Sequence, residues 1–121
     1  MQYMLLIHDD PAHFGSMSEE ERGRFYQEYM AFTQELRDSG AHVGGDQLQP
    51  TSTATTVRVR DGEQLTTDGP FAETKEQLGG YYIIEVDTLD EAIEWAAKIP
   101  SARTGSVEVR PIVSVRTEAN T

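Results

Sequence analysis

No cysteine occurs anywhere in the 121 residues, which excludes both a disulfide framework and a thiolate metal site. A cysteine-free chain suits a reducing compartment, and a cytoplasmic location is expected. Lysine is almost missing too: Lys75 and Lys98 stand against eight arginines, and the acidic residues outnumber all basic ones by 21 to 10, for a net charge of −11. A nucleic-acid partner requires a basic stripe to displace phosphate counterions. No such run is present, so neither nucleic acid nor an anionic membrane surface is expected as a direct partner. Long apolar runs are also lacking. Tyr3 to Ile7 is too short for a signal-peptide core and has no basic region before it, and nothing approaches the ~20 apolar residues of a membrane span. Gly44-Gly45 and Gly79-Gly80 are isolated pairs; there is no nucleophile elbow, phosphate-cradling loop or dinucleotide fingerprint. No cofactor is therefore expected.

What is present reads as one domain over residues 1–116, with a frayed tail over 117–121. "YMLLI" (Tyr3 to Ile7) fits a buried strand, and the polar "HDDPAH" after it fits a loop. Ser18 to Ser39 is a helix: Ser18 and Glu21 form an S-x-x-E capping box, Phe25, Tyr29, Phe32 and Leu36 make one apolar stripe, and Gly40 supplies the stop. In "TTVRVRDGEQLTT" the Asp61-Gly62 pair predicts a type I′ hairpin, with Arg60 opposite Glu63 as an ion pair. Val57 and Val59 share one face of that hairpin, Arg58 and Arg60 the other. Asp68-Gly69-Pro70-Phe71 reads as a turn and Gly79-Gly80 as a second, bounding a charged loop. Tyr81 to Val86 is the next strand. Thr88 and Glu91 open a second capped helix through Lys98, with Leu89, Ala92, Ile93, Ala96 and Ile99 as its inward stripe. Ser106 to Val113 alternates as a final strand.

This order is the split βαββαβ pattern of α+β, ferredoxin-like folds, with a hairpin inserted in the middle. Both faces of Tyr3–Ile7 and of Tyr81–Ile84 are largely apolar, yet two helices cover only one face of a four-stranded sheet. A second copy of the chain, sheet against sheet, is the expected cover.

The stretch "DGPFAETKEQLGGYYIIEV" (residues 68–86), preceded by "TTVRVRDG" and followed by "SVEVRPI", resembles the DGPF-motif family related to the YCII proteins. "MQYMLLIHDD" and "GGDQLQP" (Gly44 to Pro50) fit the same family, so the resemblance covers nearly the whole chain. It implies a ferredoxin-like, dimeric α-β barrel, but no particular reaction. Relatives lie beside or fused to extracytoplasmic-function sigma factors, which implies a link to transcription control. The YCII branch carries a histidine on the first helix and an aspartate that look like an acid–base pair. Here the matching helix position falls near Tyr29 and that helix has no histidine, while Asp46 is left as the stand-in for the acidic partner.

Asp68, Lys75 and Asp46 are the candidate proton-handling residues. A lysine beside carboxylates serves as an acid, a base or an anion clamp; on an exposed loop, Lys75 instead pairs with Glu73 or Glu76. Arg58 and Arg110, if the hairpin and last strand share a sheet, would line a barrel cavity and grip a carboxylate or phosphate; otherwise they are edge charges that discourage aggregation. Phe71, Glu73, Tyr29 and His8 complete the expected binding set, with Arg60 more structural and His42 a surface residue. His8, Asp9, Asp10 and His13 are metal-ligand types at unspecific spacing, and no metal is expected there. Two functions stay open. One is a cofactor-independent lyase or isomerase acting on a small anionic molecule in a dimer cleft near the DGPF loop. The other is a non-enzymatic dimeric ligand-binding or regulatory module. An enzyme needs Asp68 and Lys75 to converge on a cavity; a docking module exposes apolar surface around Phe71 or Trp95.

Overall fold

The computed structural model describes residues 1–114, so the expected tail over 117–121 lies outside the described residues. The chain runs β1 (Gln2–Asp9), α1 (Pro11–Gly15), α2 (Glu19–Ser39), β2 (His42–Gln47), β3 (Thr55–Arg60), β4 (Glu63–Asp68), β5 (Gln77–Glu85), α3 (Leu89–Lys98) and β6 (Ser106–Pro111), with single 3₁₀ turns at Thr51–Thr53 and Pro100–Ala102. Four strands form an antiparallel sheet in the order β2-β5-β1-β6, and β3 and β4 form a separate two-stranded ribbon. With the ribbon set aside this is the ferredoxin-like strand order.

Both long helices begin where their caps predict. Ser18 accepts from the Glu21 amide and Glu21 reaches back to the Ser18 amide; Thr88 and Glu91 repeat the arrangement. These reciprocal bonds satisfy amide donors that have no partner inside the helix. Gly40 ends α2 in the left-handed conformation, at φ 86°. The two helices lie on one face of the sheet, over Tyr3, Leu5, Ile7 and Ile84, with Phe32, Leu36, Ala92, Ala96 and Ile99 closing the core. Phe32 sits between Tyr82 and Trp95, at ring-centroid distances of 5.3 and 6.1 Å and steep interplanar angles. Those edge-to-face contacts set the rotation of α3 about its axis. They turn Leu89 and Ile93 outward, each 48% exposed, so the inward stripe is Ala92, Trp95, Ala96 and Ile99 rather than the expected set.

Four further departures from expectation have local causes. "HDDPAH" is not plain loop, because the Asp10 carboxylate caps the Ala12 amide and Pro11 opens the short helix α1. The glycine pair Gly79-Gly80 is not a turn, for β5 already begins at Gln77. Ile7 pairs with Gly80 but His8 with Leu78, so Gly79 is the extra residue of a β-bulge that re-aims the strand end. His42 is half-buried, its ring edge-to-face with Tyr82 at 6.3 Å, rather than a free surface residue. Finally, β2 is a strand in "HVGGDQ", where no apolar alternation marks one.

The ribbon has the expected register: Arg60 opposes Glu63, and Asp61 and Gly62 take φ 52° and 78°, the left-handed pair of a type I′ turn. The Arg60 guanidinium, however, bonds its neighbour's carbonyl at Val59 rather than Glu63. Nor does the ribbon join the main sheet. It is anchored at its root by Gly69 N–H to the Ala54 carbonyl and Thr56 Oγ1 to the Gly69 carbonyl, while nearly every other residue stands exposed.

Candidate functional site

Strand alternation sends Tyr3, Leu5 and Ile7 under the helices and Met4, Leu6 and His8 to the opposite face. Cross-strand register then fixes who meets whom on that open face. Leu6 lies opposite Tyr81 and Glu108, Met4 opposite Ile83 and Arg110, His8 opposite Ser106, and Tyr81 opposite Asp46. The result is an apolar centre of Met4, Leu6 and Ile83, half-buried with no helix above it among the described residues, between two polar pairs.

The first pair is His8–Glu108, with Nε2 3.3 Å from Oε1; Arg110 Nε lies 3.6 Å from the other oxygen of Glu108. The second is Tyr81–Asp46, in which the phenol donates to Oδ2 at 3.0 Å. That hydrogen bond, with the negative charge of Asp46 behind it, raises the Tyr81 pKa. At the loop end of the same face, Ser106 Oγ donates to Glu76 at 2.8 Å. This bond ties the end of the DGPF loop to β6, across the end of β1. Imidazole, carboxylate and phenol all face one way over an apolar floor, the composition of a surface that can bind a planar organic acid and move a proton on it.

Of the residues expected from the sequence, His8, Asp46 and Arg110 share this face. Asp68 sits at the ribbon root opposite Thr55, and Arg58 on the ribbon opposite Leu65, so Arg58 and Arg110 are not in one sheet. Phe71, 81% exposed, Glu73 and Lys75 lie on the exposed loop, and Lys75 forms no ion pair among the described residues. Tyr29 belongs to the other side of the sheet: its hydroxyl bonds Ser101 Oγ at 2.6 Å, and burial pushes its pKa up to about 12. Two surface clefts, one lined by Met1, Glu85 and Ile112 and one by Ala41, Asp87 and Trp95, lie at the far end of the sheet; Trp95, named for the docking alternative, lines the second, and neither includes a residue expected to handle a proton or bind a ligand. Among the described residues no cluster of three or more histidines and carboxylates is arranged to hold a metal ion, and no helix is long and apolar enough to cross a membrane.

Glu108 and Ser106 are site residues that sequence reasoning passed over, and Tyr81 is one that it marked only as part of an apolar strand. The signal for Glu108 and Ser106 is the alternation in "SVEVR": with Val107 and Val109 packed on the core, Ser106, Glu108 and Arg110 must face away from it.

Comparison with known proteins agrees with the fold. The model of the YCII-related domain matches residues 1–116. The chain belongs to the YCII-related family. An uncharacterized protein of Rhizobium meliloti (strain 1021) is 40% identical over 114 residues, spanning 93% of this chain and 92% of that one. Among solved structures, 5-chloro-2-hydroxyhydroquinone dehydrochlorinase from Burkholderia phenoliruptrix AC1100, in complex with 2,5-dihydroxybenzoquinone, superposes with a TM-score of 0.54. That match covers 93% of this chain and 94% of the other at 16% identity, a likeness of fold.

Proposed function

We propose that this YCII-related protein is a homodimer that binds a small, planar, anionic organic molecule on the open sheet face and acts on it as a cofactor-independent lyase or isomerase. The observation that carries the reading is the joint placement of His8–Glu108 and Tyr81–Asp46 around the apolar floor of Met4, Leu6 and Ile83. Asp46, with His8, handles the proton; Tyr81 orients the Asp46 carboxylate by donating to it, and Arg110 attracts the anion. The Burkholderia dehydrochlorinase acts on a hydroxylated ring on the same frame, and such a ring fits an apolar floor with a polar rim. A second copy supplies the roof that excludes water.

The test is a thermal-shift screen of small carboxylates and 2,5-dihydroxybenzoquinone on the wild type, His8→Gln and Asp46→Asn. A ligand at 100 times its Kd stabilises the native state by about 2.7 kcal/mol. The expected result is a melting-temperature rise that both substitutions abolish. Stabilisation indifferent to both, or none from any compound, would remove the site from this face.

One observation favours a second reading, a non-enzymatic dimeric module that regulates a transcription factor by docking: Phe71 is 81% exposed on its loop. That reading predicts that Phe71→Ser abolishes partner binding and leaves ligand stabilisation unchanged.

A further inference from the structure

The β3–β4 ribbon is more than an insertion. A two-stranded hairpin is marginal in water unless a third strand or another surface covers it. Here Val57, Val59 and Leu65 are 58%, 62% and 44% exposed, and among the described residues no helix or strand packs extensively on either ribbon face. One of its faces carries Arg58 and Arg60 with Leu65 and Glu63 opposite them. The open sheet face has the complementary layout, an apolar centre bordered by the carboxylates of Asp46 and Glu108. Six paired residues give the ribbon a reach of roughly 20 Å, more than the ~14 Å breadth of four strands. A second copy of the chain offers both surfaces at once, and a two-fold axis makes the exchange reciprocal.

We propose that the ribbon of each protomer lies across the open sheet face of the other, arginine face down, so that Arg58 joins the His8–Glu108 and Tyr81–Asp46 groups in trans. The site is then composite. Arg58 supplies the anion clamp, in the bidentate geometry a carboxylate prefers, and the ribbon is the lid that a single chain lacks. This inference rests on the proposed dimer and adds to it the ribbon's place and its residue.

The absence of cysteine makes the test clean. Leu65→Cys and Leu6→Cys chains are mixed, allowed to exchange, oxidised mildly and run on a non-reducing gel, with sedimentation of the wild type and of Arg58→Glu/Arg60→Glu alongside. The expected result is a covalent heterodimer linking ribbon to sheet face, and a dimer weakened roughly tenfold by charge reversal, the effect shrinking as salt rises. A wild type that sediments as a monomer overturns the dimer and the ribbon exchange together. A stable dimer without the Leu65–Leu6 cross-link leaves the dimer standing and overturns the exchange. A cross-link through Val59→Cys instead of Leu65→Cys puts the valine face down, which removes Arg58 from the site and overturns its role.

Discussion

A buried hydroxyl without a partner costs free energy, and Ser101, 3% exposed, has the phenol of Tyr29 at 2.6 Å. Tyr29→Phe is therefore expected to cost about 1–3 kcal/mol by stranding Ser101, and Tyr29→Phe/Ser101→Ala to recover part of it. Urea denaturation of the two variants and of Ser101→Ala closes that cycle. The same phenol makes a pH prediction. Burial raises its pKa from 10.0 to about 12, so between those values the unfolded chain gives up a proton that the folded chain keeps. Its contribution is complete below pH 10 and is lost as pH rises toward 12. The stability gap between wild type and Tyr29→Phe should narrow over that window; a constant gap would mean that the two states titrate alike. Glycines give a sharper contrast. A Cβ at Gly105 would overlap the His8 carbonyl oxygen, whereas one at Gly79 meets nothing within 4 Å and φ there is not positive. Gly105→Ala should cost 1–3 kcal/mol or more, as overpacking against backbone does, and Gly79→Ala about nothing. The ratio of urea midpoints checks it, and comparable losses at both sites would refute the packing at Gly105.

At the scale of elements, α3 has ten residues against 21 in α2. Isolated helices below roughly 12–15 residues are marginal, so α3 depends on its cap and on Phe32 and Trp95. Thr88→Ala should cost about 1 kcal/mol and Thr88→Ser little, read from denaturant midpoints. Both capping boxes and the type I′ turn were legible in the sequence because each is decided within a few residues. The rest was not, because it is decided elsewhere in the chain. Glycine pairs usually mark turns, and only the pairing of His8 with Leu78 makes Gly79 a bulge. In "HVGGDQ" no side-chain pattern signals a strand; β2 forms because β5 offers its hydrogen-bonding edge, and Gly45 permits the approach, where a Cβ would lie 2.6 Å from the Tyr81 carbonyl oxygen. The outward turn of Leu89 and Ile93 likewise follows from a contact between residues 32 and 95, which helical periodicity does not contain.

At the scale of the whole molecule, element order sufficed for the α+β frame, and the two-sided apolar character of β1 and β5 for the uncovered face. The site was only partly readable. His8, Asp46 and Arg110 were recognisable as chemistry-bearing residues, but their convergence with Glu108 and Tyr81 depends on register between strands far apart in the chain. Asp68 and Lys75 stood out by motif and composition, yet lie off that face in a single chain. The open face makes the broadest prediction. Leu5 is fully buried under the helices, whereas Leu6, its neighbour, is half-buried on the side that no helix covers. Placing an aspartate at Leu5 should unfold the chain. The same change at Leu6 leaves the core intact but sets a charge in the proposed dimer interface, where burial without a partner costs several kcal/mol. Leu6→Asp should therefore sediment as a folded monomer. Dimerisation stabilises by mass action, so the wild-type melting temperature should climb with protein concentration while that of Leu6→Asp stays constant. A wild type whose melting temperature ignores concentration, and which sediments like the variant, would leave the open face to some other partner.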